Sequence, residues 1–434
     1  MWKWELDELD KIIINLRLAS RSEKIVEFPK QYLCAIYTNL ANTFDEIGRF
    51  IEAIRYFNKA LAISPSFSEA IGNKGIAFKF YGLSLYDKSH RAIYFNKAYE
   101  HLKKALNGNL HSSIRAKFEN EVQWFEYNVS EQIFSHKFKL EGYSMGESDD
   151  EIEYRRWCLN ERLFINPIND LGCYSIANQD VLHMPPLVAK IGEGPYFHGF
   201  FNAIKQEYVS ARYLFYEGRK SNNPHFCDRN VLLLNTLDYP KYGLGVEKIK
   251  ISFRMSYSIF DKIAYFLNEY LNIGISKDRV NFRNMWYEEG KRKKGLNAGF
   301  EKKENWPLRG LFWLAKDIYS VDKNFHDSIE PESQKINEIR NHLEHKYLKI
   351  HDELWSGIPQ EKSVNSSLFF DSLSYSVYYD EFENYSLNLL RLTRSALIYL
   401  SLAVHAEEKT RFKEREKGIT PPMSLGKIED EWKS

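Results

Sequence analysis

The chain has little of what metal centres, disulfide scaffolds and membrane spans are built from. Its 434 residues include four cysteines, at positions 34, 158, 173 and 227, with no Cys-x2-Cys pair and no tight Cys/His cluster. That usage speaks against a zinc site and against a disulfide framework, and it suits a reducing compartment. His183 with Cys158 and Cys173 is a conceivable ligand set, but its irregular spacing fits packed core side chains better. The first ten residues are acidic and rich in Trp, without a signal-peptide core, and the longest apolar stretch, around Ala396 to Val404, is too short to span a bilayer. The net charge is only +1, so no global field draws the chain onto nucleic acid or membrane, and any basic surface must be local. These absences lead us to expect a cytoplasmic protein with no metal, no cofactor and no membrane partner. What the chain does have is aromatic mass, 28 Tyr and 29 Phe, within a composition 44% hydrophobic and 27% charged. Such a composition suits two or three globular units whose helices bury aromatic bodies.

The front third carries an internal repeat. Tyr37, Leu40, Ala41 and Phe44 are followed by Gly48, Ala53, Phe57, Ala60 and Pro65; Asn73, Gly75, Phe78 and Gly82 then repeat Asn39, Ala41, Phe44 and Gly48 after thirty-four residues. The second helix of that second unit resumes late, at Ala98, Leu102 and Ala105, which places eleven extra residues between its helices. Small Ala and Gly positions let paired helices approach closely, and Phe and Leu fill the gaps. The pattern resembles tetratricopeptide (TPR) repeats, with Glu5–Ser20 and Ser113–His136 as capping helices. Such an array offers a concave groove for a protein or peptide ligand, or merely packs on its neighbour. The Gly-, Ser- and acid-rich run from Glu141 to Glu151 marks a boundary. We expect repeats over 1–140, a connector of mixed structure over 141–195, a helical bundle over 196–412 and a tail over 413–434.

The bundle is predicted from five segments of helical periodicity: Phe197–Tyr216, Glu247–Tyr270, Trp306–Ser320, Glu332–Leu354 and Asn384–Thr410. The fold class is therefore all-α. A long loop from Gly274 to Asn305 carries Lys291, Arg292, Lys293 and Lys294 close after Trp286 and Tyr287. A basic cluster beside aromatics suits an RNA backbone and a stacked base; a solvated charged loop is the plainer reading.

The fourth segment holds Arg340-Asn341-His342-Leu343-Glu344-His345. Pro331, flanked by acids, suits a helix start, and Gly357 and Pro359 an end. Ile336, Ile339, Leu343, Tyr347, Ile350 and Leu354 form one apolar stripe. At ~100° per residue, Asn341 and His345 fall within ~40° of each other opposite that stripe, whereas Arg340 lies ~140° from His345. One ideal helix does not aim both at a single phosphate. Arg-x4-to-6-His occurs by chance roughly twice in such a chain, and the second occurrence, Arg219 to His225, crosses a turn through Asn222, Asn223 and Pro224.

Context sets the first occurrence apart. The polar residue after Arg340, the lead-in Asn337-Glu338-Ile339, the helix Arg254 to Ile263 and the stretch Lys205 to Tyr213 together resemble the HEPN superfamily, in particular a bacterial branch with amino-terminal TPR repeats, over roughly Tyr154 to Arg411. Leu343 and His342 are not dictated by that family's pattern. The resemblance implies a homodimer whose facing motif helices build a shared, metal-independent ribonuclease site. Histidine ordinarily titrates near ~6.5 and can move the 2′-hydroxyl proton or protonate the leaving oxygen. Arg340 would stabilise the phosphorane charge and Asn341 would orient the phosphate or the His. DNA, lacking the 2′-hydroxyl, should resist. His342 is a possible competitor for His345. Asp261 and Glu344 are possible supporting carboxylates or ordinary salt-bridge partners, Glu344 with Arg340 one turn away. A toxin or phage-defence role under control of the repeats is the broader expectation, and a non-catalytic dimeric scaffold or binding module is the alternative.

Overall fold

The computed structural model describes residue 4 and residues 7–189, 192–221, 223–236, 238–319, 331–352, 373–414 and 423–433. Its front is a run of paired helices: α1 (Asp7–Arg21), α2 (Lys30–Glu46), α3 (Phe50–Ile63), α4 (Ser68–Ser84), α5 (Lys88–Leu106), α6 (Ser112–Asn128) and the short α7 (Glu131–Ser135). Helices α2 with α3, and α4 with α5, pack as hairpins. Leu40, Ala41, Phe44, Ala53, Phe57 and Ala60 of the first are buried, as are Phe78, Ala98, Leu102 and Ala105 of the second, which are the positions the repeat pattern singles out. The extra residues expected between the helices of the second unit do not form a loop. Only Leu85–Asp87 link α4 to α5, and the surplus goes largely into added turns at the start of α5, where the Asp87 carboxylate accepts from the His90 N–H at 2.8 Å.

A wedge follows, with α8 (Asp149–Asn160) and α9 (Ile168–Leu171). Two buried arginines from the back of the molecule hold it. Arg394 bonds Asp170 at 2.6 Å and the carbonyls of Phe164 and Asn166; Arg212 bonds Asp180 at 2.8 Å and the carbonyl of Leu163. From the front, Tyr81 donates to Asp170 and Tyr94 to the Pro167 carbonyl. Cys158 is buried alone in this core, Cys173 is exposed, and His183 hydrogen-bonds with Tyr86.

The back half consists of α10 (Tyr196–Lys220), α11 (Leu244–Leu271), the one-turn α12 (Ala298–Glu301), α13 (Trp306–Tyr319), α14 (Pro331–His345) and α15 (Tyr379–Glu414). Helix α11 packs on α10, α14 and α15. Helix α15 is long and apolar enough to cross a membrane, yet 83% of its apolar window is buried inside the protein, as in a core helix.

Two expectations need correction. The motif helix does not continue to Leu354. It ends at His345, and Tyr347–His351 form strand β1, paired in parallel with β2 (Ser374–Tyr378). Leu343, Tyr347 and Ile350 keep helical spacing, but Leu348 and Ile350 also alternate. Ile350 lies opposite Val377, and Lys349 reaches the Asp238 carboxylate at 2.5 Å, so partners outside the helix decide for the strand. Leu354, Gly357 and Pro359 lie outside the described residues. The Gly274–Asn305 segment is not an open loop either: Phe282, Met285, Trp286 and Phe300 are fully buried, and the Trp286 indole donates to the Phe282 carbonyl.

The turn between α2 and α3 plugs into the bundle. Trp306 and Arg309 of α13 donate to the Asp45 and Glu46 carbonyls, which satisfies orphan acceptors at the end of α2. Tyr399 of α15 accepts from the Ile51 N–H and donates to Glu52. Gly48, at φ +88°, lies so close to α13 that a Cβ would meet the Trp306 carbonyl, and one on Gly310 would meet the Gly48 carbonyl. Beside this contact, Asp317 of α13 receives Arg17 at 2.8 Å and also Arg49, all three side chains being nearly inaccessible. Burial works to raise the Asp317 carboxyl, but the Arg17 and Arg49 guanidiniums outweigh it and hold the group well below the usual carboxylate range. A depressed native pKa confers stability that is complete above the unfolded value of about 3.9 and is lost as acid titrates the group. Asp317→Ala should therefore cost about 3–5 kcal/mol at neutral pH by urea denaturation, because it strands two buried guanidiniums. The gap from wild type should narrow as the pH falls below about 4.

Candidate functional site

Helix α14 is seated by Ile336, Ile339 and Leu343, all buried. The stripe is real over this span, and it fixes which way the polar residues point. Arg340, half-buried, turns toward α11, where its guanidinium lies over the Tyr257 ring at 5.4 Å. It also donates to the Asn341 side-chain carbonyl at 3.2 Å. Asp261, one turn along α11 from Tyr257, faces the same place. Burial pushes the Asp261 carboxyl up, while the Phe282 N–H at 3.0 Å and the Arg340 charge pull it down less strongly. The Tyr257 hydroxyl, pushed up to about 12 chiefly by burial, donates to Asn337 at 3.3 Å. Of the expected catalytic residues, Arg340 and Asn341 are joined to each other, and Arg340 lies near Asp261, one of the possible supporting carboxylates, between α11 and α14.

The two histidines have different settings. The His342 ring stacks on Tyr375 of β2 at 4.9 Å, and its Nδ1 donates to the Glu338 carbonyl at 2.8 Å. Tyr375 in turn donates to the Glu338 carboxylate and accepts from Lys335. His342 is therefore fixed against the sheet. His345 is exposed on the terminal turn, and among the described residues no hydrogen bond or ion pair joins it to Arg340. Within one chain the imidazole and the guanidinium stay apart, as the helical wheel requires.

Glu344 does not pair with Arg340. Its partner is Arg254 of α11, at 3.5 Å, and the same guanidinium donates to the Leu343 carbonyl at 2.6 Å. Arg254 so ties down the last turn of α14. The basic cluster also differs from expectation. Lys291 and Lys294 pair with Glu289, and Arg292 lines a small recess with Arg17, Arg49 and Lys316. Trp286 and Tyr287 are buried and offer no face to a base. No ion pair links this cluster to α14 among the described residues.

Sequence reasoning missed Tyr257 and Tyr375. The first was accessible, because Tyr257 and Asp261 stand four apart on one helix face. The second was not, since β2 was not foreseen.

Residues 188–407, more than half of the 434, match the family model described as LA2681-like HEPN. The chain belongs to the LA2681-like HEPN family. The HEPN match takes in the whole of α10, α11, α13 and α14 and most of α15. No curated protein and no solved structure matches the chain.

In this HEPN bundle the Asp261 carboxyl is raised in the folded state, so its ionised form costs stability, increasingly so as the pH rises from about 3.9 through the folded pKa. Asp261→Asn keeps an acceptor for the Phe282 N–H and removes the buried charge. At pH 7 its melting temperature should equal or exceed that of wild type, and acidification should shift the comparison toward wild type; calorimetry across that range checks both.

Proposed function

We propose that this HEPN protein is a metal-independent endoribonuclease, with Arg340, Asn341 and His345 as its catalytic set. The observation that carries the reading is the contrast on α14: a guanidinium and a carboxamide already hydrogen-bonded to each other on a firmly packed face, and an exposed imidazole at the helix end with no hydrogen bond or ion pair among the described residues. Membership of the HEPN family supports a nuclease or RNA-related role. In a homodimer with α14 facing α14, the imidazole of one copy meets the guanidinium of the other over one phosphodiester. His345 takes the 2′-hydroxyl proton, the 2′-oxygen attacks phosphorus, and Arg340 neutralises the added negative charge. The phosphorus–5′-oxygen bond then breaks, the His345 imidazolium returns the proton to the 5′-oxygen so that it leaves as a hydroxyl, and a 2′,3′-cyclic phosphate remains. Asn341 orients Arg340 or the phosphate. His342, stacked and hydrogen-bonded, serves position rather than proton transfer, as do Glu344 and Asp261.

The amino-terminal hairpins fit TPR repeats that sense a protein or peptide ligand, in a toxin or phage-defence effector. The contacts of Asp317 and Tyr399 with the front helices support such control, since they join the sensing half to α13 and α15. A scaffold reading draws on one observation: Arg340 is engaged with Tyr257, so it serves the fold as well.

One assay separates the two. Labelled single-stranded RNA in EDTA should be cut by the full-length protein to cyclic-phosphate ends, with the all-deoxy strand intact. His345→Ala should lose ~10²–10⁴-fold in rate, and Arg340→Lys, which keeps the charge, should retain more activity than Arg340→Ala. Equal cleavage by wild type and His345→Ala would sink the nuclease reading.

A further inference from the structure

Where the front helices, the α8–α9 wedge and α15 meet, carboxylates and arginines pair off one to one. Glu161 takes Arg391 through its carboxylate and its carbonyl, Asp170 takes Arg394 at 2.6 Å, and Glu52 takes Arg49 at 3.4 Å together with the Tyr399 hydroxyl. Three partly buried cations of the same junction are left over: Arg55 of α3, Lys74 of α4 and Arg162 in the turn after α8. Two of them carry a guanidinium nitrogen that is shut off from water and has no acceptor among the described residues, Nη2 of Arg55 and Nη1 of Arg162. The acceptor of Lys74 is neutral, the Asn58 side-chain carbonyl at 2.8 Å. Glu52 is the acid that acts most on Arg55, yet no hydrogen bond joins them and its Oε1 is itself without a donor.

The three cations ring one junction. Asn58 lies one turn from Arg55 on α3, and Arg162 is the charge that acts most on Lys74. Arg162 follows Glu161, whose partner Arg391 is the cation acting most on Arg55. Burial, then the Arg162 and Lys104 charges, push the Lys74 ammonium down to about 8. Burial also pushes the Arg55 guanidinium down; Arg391 and Arg394 add to the effect, and Glu52 and Asp170 oppose it. The backbone of Arg162 is left-handed, at φ +59°, and the Leu163 N–H closes α8 on the Cys158 carbonyl at 2.9 Å. Glycine ordinarily fills such a position. Arginine there costs backbone strain, yet it sets a cation in the junction.

We infer that this junction binds a small phosphate-bearing anion, held by the guanidiniums of Arg55 and Arg162 and the ammonium of Lys74. Guanidinium forks match phosphate oxygens in pairs, and partly buried cations that no carboxylate neutralises call for a multivalent counter-charge. A long polyanion fits less well, because the neighbouring Arg391 and Arg394 are already taken by carboxylates. Bound there, the anion ties α3 and α4 to the turn after α8, and so the front helices to the wedge. None of these residues belongs to α14, so the inference stands apart from the nuclease reading.

Isothermal titration of the full-length protein with inorganic phosphate, against chloride at constant ionic strength, tests the site. Wild type should bind saturably, and Arg162→Gly and Arg55→Met should each weaken binding roughly 10-fold or more. Without phosphate both variants should melt at or above wild type, the first because glycine suits the left-handed turn, the second because an apolar side chain replaces an unmatched charge. Phosphate stabilises proteins generally, so the melting readout is the difference between wild type and variant in its presence. If Arg55→Met fails to fold, Arg162→Gly carries the test alone. Tighter binding of glucose 6-phosphate than of inorganic phosphate supports the site and assigns it to a phosphorylated metabolite; the opposite order supports free phosphate. Wild type without saturable binding, or variants that bind as tightly as wild type, overturn the inference. So does displacement of phosphate by single-stranded RNA, which would make the junction part of a nucleic-acid track.

Discussion

One carboxylate, Asp317, accepts two buried guanidiniums from separate stretches of the front helices, Arg17 in α1 and Arg49 at the entry to α3. Charges taken out of water cost several kcal/mol each unless their partners are in place. The arrangement therefore tolerates only one docking of the front on α13. Arginines stacked on Phe44, the aromatic group Phe50, Trp306 and Tyr399, and the α2 carbonyls capped from α13 all follow from that docking. The HEPN bundle is thus packed against its amino-terminal helices through an interior that resembles a core rather than a seam.

Much of this was legible from residue order alone. Four of the five amphipathic stretches located back helices to within a few residues, because each buries a continuous face and periodicity reports burial, whereas the fourth ran past the end of α14 at His345. The small and aromatic alternation located the front hairpins for the same reason. What escaped were features decided by distant partners. Tyr347 to His351 satisfies a helical spacing and a strand spacing at once, and only Val377, Asp238 and Pro240, supplied from elsewhere in the chain, choose between them. Trp286 beside a basic run looked like a platform for a base, but nothing local shows that its indole closes on Phe282 within the core.

The site was legible in its members and not in its relations. Arg340 joins Asn341 and lies near Asp261. Glu344 answers to Arg254, a pairing between helices that no single-helix argument reveals. Ending α14 at His345 places that imidazole at a helix terminus, where four backbone carbonyls lack intrahelical partners. Arg254 takes the Leu343 carbonyl, so the last turn stays wound while the ring beyond it remains open to solvent. A stiff stem thus carries an accessible side chain at a defined position.

Gly48 and Gly310 meet backbone to backbone, with no side chain between them. Such a contact cannot be lubricated by rotamer changes, because there are no rotamers to change. Sliding α13 along the α2–α3 turn would force backbone against backbone within a fraction of a turn. The glycine pair thus locks the register of the two halves, and a methyl group at either position would wedge them apart.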